Sequence, residues 1–141
     1  MSTIEASVVS GLLAYLGSFP WSPTLRIANP NTGFTPGDKE TYLRATILPA
    51  SPQPVGQDAS NSRIHQGLLQ VDVFYPNRDG EVKPAQIVDA LADYLDFGTL
   101  IPAGDFWVEV SAPPERLTLY ADPPWAIIPL RVRWRCIRQP D

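Results

Sequence analysis

The chain has one cysteine and one histidine in 141 residues, Cys136 and His65, and that scarcity excludes several kinds of chemistry. A lone cysteine forms no internal disulfide, no CxxC redox pair and no thiolate zinc cluster. A reducing, intracellular setting is the expectation. With a single imidazole, any Ser-His-Asp or Cys-His mechanism has to use His65, yet no local motif marks a nucleophile to work with it. The simpler reading of His65 is a polar residue leading into the strand at Gly67. The glycines are scattered, and none falls in GxGxxG or GxxxxGK[ST], so no phosphate-cradling loop is legible.

Basic excess is missing too. Eleven Lys and Arg stand against fifteen Asp and Glu, a formal net charge of −4, which argues against specific binding to nucleic acid phosphates. Apolar runs are only a few residues long, far below the roughly 20 needed to cross a bilayer, so no membrane partner is expected. Met1 to Glu5 shows neither a basic leader nor a cleavage pattern, and no signal peptide is expected there. What is present is core-forming material: 44% hydrophobic residues, including four Trp, five Tyr and five Phe. That is enough for one folded core, and the expectation is a single domain over 1–141.

Periodicity supplies the elements. Ser2 and Glu5 make a capping box ahead of Ile4, Val8, Val9, Leu12, Leu13 and Leu16 at helical spacing, which predicts a helix from Thr3 to Leu16. Thr24 to Ala28 reads as a short strand, and Glu40 to Leu48 as another that stops at Pro49. The Pro- and Gly-containing stretch Ala50 to Ser62 reads as a mobile loop, a candidate for ordering on docking. Gly67 to Tyr75 alternates as a strand, with Leu69, Val71, Val73 and Tyr75 on one face and Leu68, Gln70, Asp72 and Phe74 on the other.

A second helix is predicted to begin at Pro84, with Ile87, Val88, Leu91, Tyr94 and Leu95 as its apolar stripe. Gly98 is its expected left-handed terminator. Phe106 to Val110 is a further strand. A Pro-rich excursion with a short strand at Leu117 to Tyr120 then leads to a last strand, in a long hairpin. There Ile128, Leu130, Val132, Trp134 and Cys136 oppose Arg131, Arg133 and Arg135. Pro129 cannot donate to a ladder, so it is expected at an edge, at a bulge, or just ahead of the strand. The reading is α+β in the order α-β-β-β-α-β-β, a mostly antiparallel twisted sheet with two helices packed on one face.

Two charged features stand out. Arg131, Arg133 and Arg135 place three like charges on alternate residues of one strand. They are open to pairing with Asp72, Glu109 or Gln70 on neighbouring strands, to a nucleic-acid groove, or to a protein interface. Asp89, Asp93 and Asp96 form the polar face of the second helix, and Asp93 and Asp96 sit near its negative end, where carboxylates are mildly unfavourable. Intrahelical stability does not explain them. One arrangement answers both features: the acidic stripe of one copy faces the arginine row of the next, head to tail. Paired carboxylates such as Asp89 with Asp93, or Asp72 with Glu109, are the catalytic alternative, as in a small hydrolase, but a solvated helix face accounts for the helical pair as well.

Thr41 to Ala45, the polar loop, and Arg63 to Phe74 resemble the phage tail-terminator family, relatives of the lambda tail terminator. Gly80, the helix from Ala85 to Leu95, Ile27 to Pro30 and the closing Pro129 to Val132 strand fall where that family has theirs. The resemblance implies a structural, non-enzymatic subunit without cofactor that forms a ring, a hexamer, and caps the tail tube. It implies the tail tube protein, the head-tail connector and further copies of itself as partners, and the virion tail as its place. Another neck or connector protein of the virion is the nearest alternative.

Overall fold

The computed structural model describes residues 4–21, 24–29, 33–49, 53–54, 63–77, 80 and 82–138. In chain order they form α1 (Ile4–Gly17), β1 (Ile27–Ala28), β2 (Tyr42–Pro49), β3 (Gln53–Pro54), β4 (Arg63–Pro76) and α2 (Val82–Tyr94). There follow β5 (Leu100–Ala103), β6 (Phe106–Val110), β7 (Glu115–Arg116), β8 (Tyr120–Asp122) and β9 (Trp125–Arg138). The class is α+β. The element order departs from the expected one by the short strands β3, β5, β7 and β8, which are two to four residues long and carry too little alternation to signal themselves. In place of the expected strand at Leu117 to Tyr120 stand β7, just before it, and β8, which begins at Tyr120.

The sheet runs β1-β2-β4-β9-β6-β5, with β3 paired to β4 and with β7 and β8 paired to β9. Its spine is the antiparallel pairing of β4 and β9, in register from His65 opposite Cys136 to Pro76 opposite Trp125. The pairings are antiparallel except that of β1 with β2, where Ile27 lies beside Leu43 in parallel. Strands β6, β7 and β8 follow one another along the same edge of β9, an interrupted partner that turns back at Pro123-Pro124. This is the long hairpin.

Pro129 explains one of those interruptions. It lies inside β9, opposite Asp72 on one side, while its carbonyl accepts from the Leu117 N–H at 2.9 Å on the other. The N and C=O of a strand residue point to the same neighbour, so the return bond that Leu117 would expect from this position has no donor. The ladder breaks between β7 and β8 at that level. This differs from the expected placements: β9 begins ahead of Pro129, at Trp125, its register with β4 runs unbroken through that residue, and the disruption falls on the neighbouring strands instead.

Alternation sorts the two faces of the sheet. Leu43, Ala45, Leu69, Val71, Val73, Val108, Val110, Leu130, Val132 and Trp134 turn to one side. There they pack with Val8, Leu12 and Leu16 of α1 and with Ile87, Val88 and Leu91 of α2. Each fully buried large aliphatic stabilises by about 1.5–3 kcal/mol. Tyr15 and Tyr94 tie the helices together: their rings stack at 4.3 Å, Tyr15 Oη donates to the Tyr94 carbonyl and Tyr94 Oη to that of Tyr15. The Nε1–H of buried Trp134 has no acceptor among the described residues.

Helix boundaries shift from the sequence reading. The capping-box residue Ser2 lies outside the described residues, and Val9, expected in the apolar stripe, is exposed. Helix α2 starts at Val82, two residues before Pro84. Pro84 still occupies the first turn, where a missing N–H is harmless. The helix ends at Tyr94, so Gly98 is not its terminator. With φ 88° it instead shapes the turn into β5, donating its N–H to the Val110 carbonyl at 2.9 Å. His65 has its backbone within β4 rather than ahead of it, and its side chain lies outside the described residues. Most of the Ala50 to Ser62 loop lies outside them as well, apart from Gln53–Pro54, paired with Ile64 and Arg63.

A second small cluster sits on the other face, at one end of the sheet, where Tyr42 stacks on Phe74 at 4.7 Å and meets Phe34, Trp125 and Ile127. The segment carrying Phe34 is held by Arg26, whose Nε and Nη2 donate to the two Glu40 oxygens at 2.7 and 2.6 Å, while Gly37 N–H donates at 2.7 Å.

Two outcomes follow. A Cβ at Gly11 of α1 would lie 2.5 Å from the Pro102 carbonyl oxygen of β5, so backbone must move. Gly11→Ala is therefore expected to destabilise by about 1–3 kcal/mol in urea unfolding, although the same change in an open helix gains up to about 1 kcal/mol. The Arg26 and Gly37 donors hold the Glu40 carboxyl at about 2, below its ordinary 4.5. Because the folded value is depressed, its contribution is complete above the ordinary value and fades as pH falls toward the folded one. Glu40→Gln is expected to lose under about 1 kcal/mol at neutral pH, with the gap to the wild type closing in acid, as urea midpoints across that range would read.

Candidate subunit interface

The face of the sheet turned away from the helices carries the charged residues. Across β2, β4 and β9 runs a connected row. Arg44 donates to Asp72 Oδ2 from Nε at 3.3 Å and Nη2 at 3.1 Å, and Gln70 Nε2 donates to Asp72 Oδ1 at 2.9 Å. The Gln70 carbonyl oxygen in turn accepts from Arg131 Nε at 3.4 Å. Registration sets this order, because Arg44 stands opposite Asp72 and Gln70 opposite Arg131. Asp72 is 0% exposed, an acid fully enclosed on the polar face, and Arg44 covers it while lying 4.7 Å over the Phe74 ring.

The arginine row resolves into three different situations. Arg131 bonds Gln70 and lies opposite Glu115 of β7. Arg135 directs Nε and Nη2 at Glu109 Oε1, each at 2.6 Å, across the β6–β9 pair. Half-exposed pairs of this kind contribute about 0.2–1 kcal/mol. Thus Gln70 and Glu109 take up the outer two arginines, as the cross-strand pairing reading expects, while Asp72 is claimed by Arg44.

Arg133 is the exception. Its neighbours in register are Leu68 on β4 and, through the Ser111 N–H to Arg133 C=O bond at 2.9 Å, the residue just past β6. Neither is an acid, and Arg133 has no ion-pair partner among the described residues. It is exposed, and it lines a shallow cavity of about 360 Å³ with Leu48, Gln66, Leu68 and Ser111. Leu48 is 49% exposed there. The alternating sequence pattern reveals the row, but it does not reveal which arginine is left over, because that depends on the offset of three strands.

The acidic residues lie on the far side of the molecule. Asp89 and Asp93 project from the exposed side of α2, whose other side buries Pro84, Ile87, Val88 and Leu91 against the sheet. Asp96 does not share that stripe: it lies beyond the end of α2 and its Oδ1 accepts from the Phe97 N–H at 2.7 Å. Within one chain the structure therefore separates Asp89 and Asp93 from Arg133 by the thickness of the sheet and helix layers. No group of three or more His, Cys, Asp or Glu is arranged to hold a metal ion among the described residues. Burial raises the Cys136 thiol above its ordinary value, which works against a reactive thiolate.

The Asp72 arrangement sets an order of costs. Arg44→Ala is expected to destabilise by about 2–3 kcal/mol because it strands an enclosed carboxylate, whereas Asp72→Asn keeps the shape and a Gln70 contact and costs less. Urea unfolding of both variants reads the order, and equal or inverted costs would contradict it.

Comparison with known proteins bears on what this surface serves. No curated protein matches the chain. A solved structure shares the fold, with a TM-score of 0.76 at 25% identity, over 98% of this chain and 96% of that one. The model of the family described as "Phage tail terminator protein" matches residues 7–134, from the first turns of α1 through Trp134 of β9. That span takes in most of α1, all of α2, most of the β4–β9 spine and Arg133, and the chain belongs to the phage tail terminator family.

Proposed function

We propose that the chain is a structural subunit of a phage tail. Copies form a ring, a hexamer, that sits on the last layer of the tail tube, ends its polymerisation and presents a surface to the head-tail connector. The observation that carries this reading is the family match over nearly the whole chain. It agrees with a chain in which the charged side chains are spent on holding strands together or stand on outer faces, and in which no described cluster converges on a reacting centre. No catalysis and no cofactor are assigned to it. Its partners are further copies of itself, the tube protein and the connector, and its place is the virion tail. No helix among the described residues is long and apolar enough to cross a membrane. The domain assignment goes with it: one terminator-like unit over 1–141.

Removing the chain from a phage that encodes it is expected to leave tube growth unchecked, giving overlong tails without heads in electron micrographs, with normal particles restored when the chain is supplied in trans. Normal-length tails joined to heads in its absence would contradict the reading. Immunogold labelling at the head-proximal end of intact tails separates a terminator from a connector on the head side of the joint.

A further inference from the structure

We infer that the cavity around Arg133 is the socket for the acidic face of α2 on a second copy of this chain, with Asp89 and Asp93 as the entering carboxylates. The inference deepens the ring reading above and rests on it for its biological setting. Its physical basis is separate. The socket offers a guanidinium without an ion-pair partner among the described residues, flanked by apolar Leu48 and Leu68. Ser111 and Gln66 also line it, and each carries a side-chain donor. Such a site fits a carboxylate carried on an element with some apolar surface, and the apolar walls lower the local dielectric around the contact.

The choice of occupant follows from charge. At a formal net charge of −4, two copies repel one another on average, so they associate only through a locally complementary patch. On the face opposite the socket, Asp89 and Asp93 are exposed one helical turn apart, and neither bonds a cation among the described residues. Socket and carboxylates lie on opposite sides of the subunit, so one contact leaves both ends open for the next, which is the geometry of a head-to-tail assembly. The sequence proposal narrows accordingly: Arg131 and Arg135 are held by Gln70 and Glu109, Asp96 by its own turn, and Arg133 with Asp89 and Asp93 remains.

Sedimentation velocity of the purified full chain over a concentration series, at low and at moderate salt, tests the contact. The wild type is expected to self-associate, less so as salt rises. Arg133→Glu and the double variant Asp89→Arg/Asp93→Arg should each weaken association by at least about tenfold, since each puts like charges face to face. The triple variant carrying all three changes should recover association, because the reversed charges are again complementary. These positions are exposed, and unchanged thermal unfolding would certify that the variants fold. A wild type that stays monomeric, single-side variants that associate like the wild type, or a triple variant no tighter than either parent would each overturn the inference. Normal tails without the chain would remove the terminator reading and leave this result standing, while normal tail termination by the Arg133→Glu variant would remove this contact and leave the terminator reading intact.

Discussion

The pairing of β4 with β9 is the constraint from which the rest follows. The two 14-residue strands lie antiparallel along nearly their whole length, from His65 opposite Cys136 to Pro76 opposite Trp125. A side-chain period of two then obliges every second residue to face the helices and every other one to face outward. A slip of one residue would turn Val71, Val73, Leu130 and Val132 to solvent and Asp72 and Arg131 into the core. The register is held by the cost of that exchange, and with it the geometry of the polar face.

On that polar face, electrostatics obeys the same register. Asp72 is tolerated without exposure because Arg44 and Gln70 arrive at the same level from β2 and from β4 itself. A buried carboxylate with two kinds of donor is a matched unit, and losing one member costs more than never having had the pair. Arg135 meets Glu109 for the same reason of level. Arg133 falls opposite Leu68 and Ser111, where no acid is available, so its charge remains directed outward. The contrast between 131, 133 and 135 lies in which strand ends where: β6 stops at Val110, and the next pairing along β9 begins only at Arg116 and Glu115.

Much of this was legible in the sequence. Periodicity located both helices, the two long strands and the sides of β9 on which the arginines and the aliphatics stand, since those segments are long enough for alternation to be unambiguous. The short strands β3, β5, β7 and β8 were not legible. They exist because β4, β6 and β9 offer free backbone groups to whatever passes alongside, and so short a pairing needs no pattern of its own. Pro129 was legible only as a disruption, not as one absorbed by a gap between β7 and β8. Of the six charged candidates, geometry assigns Arg131 and Arg135 to cross-strand bonds with two of the partners named from the sequence, and Asp96 to its own turn; which arginine takes which partner is not disclosed by spacing along the chain. Nor did the composition mark Arg44 as the partner of Asp72, because that pairing depends on an offset between strands 28 residues apart.

The central claim is that the outward face of the β2–β4–β9 sheet exists to meet protein neighbours. A cryo-electron microscopy reconstruction of the head-proximal end of the assembled tail tests this most directly. The account predicts a ring of these chains in which the Arg133 surface of each is covered by the α2 face of the next. A ring in which that sheet face looks onto solvent, or tail ends that lack the chain, would contradict it.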